Sequence, residues 1–136
     1  MTLVVHAAAT WALVGLIWVV QLVIYPLYAS VPEHGFRAFH AAYTARIGAV
    51  VGTLMAIEAL SGVLLFTHTT LARPALWIGT ALLVLLWLLT GLAFVPLHAR
   101  LAAGFDPAAH RRLVALNWLR TAAWTARGAL VATWLL

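Results

Sequence analysis

The sequence predicts an all-α integral membrane protein, a single four-helix bundle with short loops, and three observations carry that expectation. Of 136 residues, 65% are hydrophobic and only 8% charged, where soluble domains run at about half apolar and about a quarter charged. The mean hydropathy is +1.04. The apolar residues gather into four runs, 2–28, 43–67, 75–97 and 113–136, each longer than the roughly 20 residues that cross about 30 Å of hydrocarbon. No alternation of polar and apolar residues marks a barrel strand, so helices are the remaining way to satisfy every backbone group within a bilayer.

The first run, 2–28, lacks a basic leader and is too long for a cleaved signal segment, so it is expected as a retained first span. Pro32, Glu33, His34 and Gly35 follow it and mark the first loop. The second run, 43–67, ends before Arg73 and Pro74, which mark the second loop. The third, 75–97, is bounded by Gly104, Phe105, Asp106 and Pro107. Asp followed by Pro is an N-cap with proline at the first helical position, so a helix is expected to begin there and run into the fourth span, 113–136. His34 and His110 are expected as solvated loop residues.

The charge pattern gives orientation and excludes partners. Every basic residue is Arg, eight in all, and there is no Cys, which removes disulfides and thiolate ligands. Arg37, Arg46, Arg100, Arg111 and Arg112 flank the first and third loops, against Arg73 alone in the second. The positive-inside rule therefore places those two loops in the cytoplasm and both termini outside, as in a bacterial inner membrane. The basic residues are scattered and two lie inside an apolar run, so no nucleic-acid partner is expected.

Polar residues within the spans are the candidate site. Asn117, Arg120, Trp124 and Arg127 are spaced 3, 4 and 3 apart, which holds them on one helical stripe. His40, Thr44, Ile47, Val51, Leu54, Glu58 and Ser61 form a matching stripe in the second run. Glu58 lies 14 positions past Thr44 and Arg127 lies 14 past Leu113, so both are about 21 Å deep and are expected to form a buried ion pair. Arg120 has no carboxylate at its level. Gln21 and Tyr25, on a first-span stripe of Trp11, Trp18, Gln21, Tyr25 and Tyr28, offer it acceptors without neutralising it.

An unneutralised buried Arg is the partner a carboxylate, phenolate or headgroup seeks. A ligand site is therefore expected around Arg120, walled by Asn117, Gln21, Tyr25, His40 and His98, with Trp18 and Trp124 as flat apolar faces. His6 and His68, near the outer surface, are weak metal candidates without ligand spacing on one helix. The sequence requires no cofactor and leaves haem open, and no catalytic residue is assigned. Gly48 and Gly52 form a GxxxG that suits close approach of a helix, within the bundle or from another copy. Trp77 and Trp134 are expected at the interfaces.

The run Val95, Pro96, Leu97, His98, Ala99, Arg100, Leu101, together with Asn117, Trp118, Leu119, Arg120, Thr121, resembles the small four-helix membrane family that includes the anthrone oxygenases. The chain departs from the family pattern at His98, where an Asn is expected. The resemblance implies a four-helix bundle and oxidation of a polycyclic phenol by oxygen, and it bears on Arg120 and His98. In architecture the chain also resembles the short membrane-bound protoporphyrinogen oxidases, with His6 as the early histidine.

Three classes of function are compatible with these residues: an oxidoreductase or oxygenase acting on a flat hydrophobic or phenolic molecule, a binding or transport protein for an anionic amphiphile, quinone or haem, and a structural subunit of a larger complex or homo-oligomer. Membrane lipid is a partner in each. No nucleophile constellation or phosphate loop supports hydrolysis or nucleotide-driven pumping.

Overall fold

The computed structural model describes residues 1–68 and 72–136, with the side chain of His68 outside the described residues. Four helices run alternately up and down: α1 (Thr2–Ser30), α2 (Glu33–His68), α3 (Arg73–Ala102) and α4 (Pro107–Thr133). No strand occurs among the described residues. The first three helices are long and apolar enough to cross a membrane. The fourth is of similar length and carries Arg111, Arg112, Arg120 and Arg127. Both termini lie at one end, called the upper end below. The turns Val31–Pro32 and Ala103–Asp106 lie at the lower end.

Hydropathy marks only the part of a helix suited to hydrocarbon, and the helices run past it. α2 starts at Glu33, well ahead of Tyr43, because its first turns pack Phe36 and His40 against Tyr28. Phe36 and Tyr28 are fully buried there, and aromatic pairs of this kind add about 0.5–1.5 kcal/mol each beyond area burial. α4 begins where Asp106 and Pro107 predict. The Asp106 carboxylate accepts from the backbone N–H groups of Ala108 and Ala109 at 2.8 and 3.0 Å, satisfying donors that a helix start leaves open. Gly104, just before it, turns with φ +146°, a conformation that side-chain-bearing residues rarely adopt.

α1 and α3 each contain one wide π turn, Val20–Ile24 and Thr90–Phe94. One residue beyond each turn stands a proline, Pro26 after Tyr25 and Pro96 after Val95. Proline has no N–H for the carbonyl four residues back and its ring crowds that carbonyl, and a wider turn accommodates both defects. The segments around them are alike: Leu22 to Ala29 and Leu92 to Ala99 share Leu, Pro, Leu and Ala at the same places. The likeness extends to packing. Tyr28, two residues past its proline, stacks on His110 of α4 at 6.1 Å, while His98, two residues past the other, packs on His40 of α2 at 5.3 Å. The chain is thus two helical hairpins of one plan.

α1 packs along both α2 and α4, and α4 packs along α3. Of the neighbouring pairs, α2 and α3 approach each other least closely, which leaves a lateral opening between exposed Gly48 and Val95 in the lower half. Gly48 and Gly52 face no helix: an added Cβ at either meets nothing within 4 Å. Gly48 lies at that opening.

Candidate functional site

Two buried polar clusters occupy the bundle, one above the other. In the upper one Arg127 of α4 donates from Nε to Glu58 Oε1 of α2 at 2.6 Å. Its Nη1 donates to the Gly79 carbonyl of α3, and its Nη2 to His6 Nε2 of α1 at 3.1 Å. All three guanidinium nitrogens therefore have acceptors, one from each other helix. His6 accepts at Nε2, so its proton sits on Nδ1, an assignment made from the network. That proton is shared between Ser61 Oγ at 2.9 Å and the Glu58 carbonyl at 3.1 Å. Thr10 donates to Glu58 Oε1 at 2.7 Å.

With both its nitrogens engaged, His6 has none to offer a metal. No group of three or more potential metal ligands occurs among the described residues, and the side chain of His68 lies outside them. Trp134, expected at an interface, is buried and stacked on His6 at 5.9 Å. It fits because Gly79 lacks a side chain: a Cβ there would stand 2.7 Å from the Trp134 ring. The space left in this half is about 70 Å³.

The lower cluster surrounds Arg120 and is built differently. Arg120 is 7% exposed and faces a cavity of about 280 Å³. Its guanidinium carbon lies 4.3 Å above the centre of the Phe94 ring, a contact worth about 0.5–2 kcal/mol. Its Nε has no hydrogen-bond partner among the described residues. Tyr25, Tyr43, Thr44, Thr90 and His98 supply the other polar atoms of the wall, and Leu16, Ile17, Val20, Ile47 and Val51 much of its apolar part. The π turns shape it directly, since Val20, Thr90 and Phe94 belong to them.

The residues expected around Arg120 divide into four groups. Tyr25 and His98 line the cavity with it. His40 stands behind His98: Tyr25 Oη lies 3.1 Å from His98 Nε2, and His98 Nδ1 lies 3.1 Å from His40 Nε2. Gln21 and Asn117 pair with each other instead, Asn117 Nδ2 donating to Gln21 Oε1 at 2.8 Å, so the Gln21 carbonyl expected to serve Arg120 is engaged elsewhere. The two tryptophans do not line the cavity. Trp18 is 37% exposed on the outside, donating to Thr125 Oγ1 at 3.1 Å, and Trp124 is packed in the core.

Phe94 is a residue that sequence reasoning passed over, and His110 is one that it assigned to a solvated loop. Phe94 precedes His98 by one helical turn, and that spacing was the available signal. His110 sits on the first turn of α4 rather than in a loop, because Asp106 starts the helix before it, and its Nε2 donates to the Tyr25 carbonyl at 2.7 Å. Comparison with family models, with curated proteins and with solved structures finds no match for this chain, so what the site does is argued from its chemistry.

Proposed function

We propose that the chain crosses a bilayer four times and takes into its lower half a flat, hydrophobic molecule bearing a phenolic or carbonyl oxygen, which Arg120 holds. The observation that carries this reading is a buried guanidinium, without a carboxylate partner, facing an apolar cavity that opens sideways between α2 and α3. A buried cation needs compensation, and a guest oxygen meets the planar fork at two points. The lateral opening suits a guest dissolved in lipid. Oxidation of a phenol starts most readily from its electron-rich anion, and a fixed cation stabilises that anion. The resemblance to anthrone oxygenases supports the same chemistry, an oxidoreductase reading of the site. Carriage of the guest without chemistry is the alternative, distinguished by recovering it unchanged after aerobic incubation.

2-Hydroxyanthraquinone is a suitable probe, with equilibrium dialysis against the detergent-purified chain as the measurement. Saturable binding is expected, weakened about tenfold or more by Arg120→Lys, which keeps the charge and loses the fork. Equal binding by both proteins would remove Arg120 from the site.

The same reading sets orientation. Five Arg near the lower end against Arg73 at the upper support an orientation with the lower end in the cytoplasm of a bacterial inner membrane. A Cys at position 35, where a side chain meets nothing within 4 Å, should resist an impermeant thiol reagent in intact cells. Rapid labelling there would reverse the orientation.

A further inference from the structure

We infer that the Arg120 site takes its guest as an anion and passes the guest's proton along Tyr25, His98 and His40, which leads away from the cavity; the inference rests on the ligand site proposed above.

The first observation is a missing counter-ion. The chain has three acidic residues. Glu58 is engaged by Arg127, Asp106 bonds Arg100 and caps α4, and Glu33 is exposed at the start of α2. None serves Arg120. The groups around His98 and His40 are Tyr25 and Tyr28 from α1, Tyr43 from α2, and Arg120 and His110 from α4. Arg120 is the one fixed charge in that set. A guest that arrives neutral and ionises there supplies the opposite charge without carrying one through hydrocarbon.

The second observation is the string of hydrogen bonds. Tyr25 Oη, the two nitrogens of His98 and His40 Nε2 are linked at 3.1 and 3.1 Å. Each neutral imidazole holds one proton. With Tyr25 donating to His98 Nε2, His98 Nδ1–H donates to His40 Nε2, and the His40 proton sits on Nδ1. That atom is buried and has no partner among the described residues. Of the three linked residues, Tyr25 and His98 touch the cavity and His40 does not, so His40 is reached from it through them.

In this arrangement the guest O–H bond breaks and its proton forms a new O–H bond at Tyr25. The former Tyr25 proton moves to His98 Nε2, and the His98 Nδ1 proton moves to His40 Nε2. The guest ends as an anion against Arg120, and the unpaired positive charge moves to His40, which ends with both nitrogens protonated. No electron is transferred and net charge is unchanged.

The relay also narrows the guest. A carboxylic acid is already ionised in neutral water, with a pKa near about 4, and needs no proton acceptor. A phenol ionises near about 10 and needs both an acceptor and a counter-ion. The site offers both within apolar walls, where opposite charges attract more strongly than in water. The class selected is a hydrophobic phenol.

2-Hydroxyanthraquinone reports the step directly, because its absorption moves to longer wavelength when its phenol ionises. Titrated with the full detergent-purified chain, at a pH well below its own ionisation in the same detergent, the bound probe should show the phenolate band. His40→Gln can still hydrogen-bond His98 but cannot take a proton, and His40 lies behind the wall. This variant should bind the probe and lose most of that band. His98→Gln, which breaks the middle link, should lose it as well. A neutral spectrum for probe bound to the wild-type chain would overturn proton transfer while leaving the site in place. The same ionised fraction in all three proteins would overturn the relay. No saturable binding in any of them would overturn the site and the relay together.

Discussion

Arg127 and Arg120 stand two turns apart on α4, both buried, and the bundle treats them in opposite ways. Around Arg127 every guanidinium nitrogen has an acceptor, one of them a carboxylate, and the space left is about 70 Å³. Around Arg120 the neighbours are the Phe94 ring face and the Tyr25 hydroxyl, Nε is unpaired, and the adjoining cavity is about four times as large at about 280 Å³. The difference teaches that burial of a charge does not by itself mark a site. A charge whose valences are filled by its own protein fixes helices in register, and one left facing space can hold something else.

The largest effect should come from breaking the filled cluster. Glu58→Gln leaves Arg127 buried and uncompensated, and about 3–5 kcal/mol of stability should be lost. Adding Arg127→Met should recover part of it in thermal unfolding of the detergent-solubilised chain. Strictly additive losses would mean that the two are not coupled. Arg120→Lys gives the intermediate case. Its unfolding free energy should stay within about 1 kcal/mol of wild type, because no hydrogen bond to Nε and no ion pair is lost. A drop as large as that of Glu58→Gln would make Arg120 a structural residue like Arg127.

The smallest effect belongs to the exposed pair. Arg100 and Asp106 meet at 2.6 Å, the same separation as Arg127 and Glu58, yet their side chains are 59% and 31% exposed. Water screens them, so the contact itself contributes little. What remains is a pH signature. The Ala109 backbone N–H, aided by Arg100 and the Ala108 N–H, holds the Asp106 carboxyl below its usual range. A depressed native pKa adds stability that is present above the unfolded carboxylate's pKa and is lost as pH falls through the native value. The melting temperature should therefore show a small acid-side decline below about pH 4 that Asp106→Asn removes. An unchanged profile would show that the cap does not set it.

Much of the fold was legible because long apolar helices announce themselves by length and hydropathy, and Asp106 with Pro107 announces a helix start. The α4 stripe was legible for the same reason: that helix has no irregular turn, and Asn117, Arg120, Trp124 and Arg127 are all buried. The α1 stripe was not. Trp11, Trp18, Tyr25 and Tyr28 have heptad-like spacing, but the π turn at Val20–Ile24 inserts about one residue and rotates the remainder of the helix by roughly 100°. Trp11 and Trp18 consequently face outward at 47% and 37% exposure, while Tyr25 and Tyr28 are buried at 3% and 0%. A proline gives warning of irregularity without saying which repair the helix adopts, so the shift in facing was not readable from spacing. The contact of Arg120 with Phe94 was hidden likewise, since Phe94 lies in the π turn of α3.

The two-hairpin plan has a further consequence for the ion pair. Glu58 and Arg127 stand within one position of the same distance beyond their own prolines, Pro26 and Pro96. Were the two hairpins separate, identical chains related by a two-fold axis, equivalent positions would carry one residue type, and an acid would confront an acid. Fusing them into one polypeptide lifts that restriction. Each hairpin can mutate alone, so the meeting point can hold opposite charges, and the cost of a lone buried charge becomes a lock that only the correct pairing of unlike halves closes.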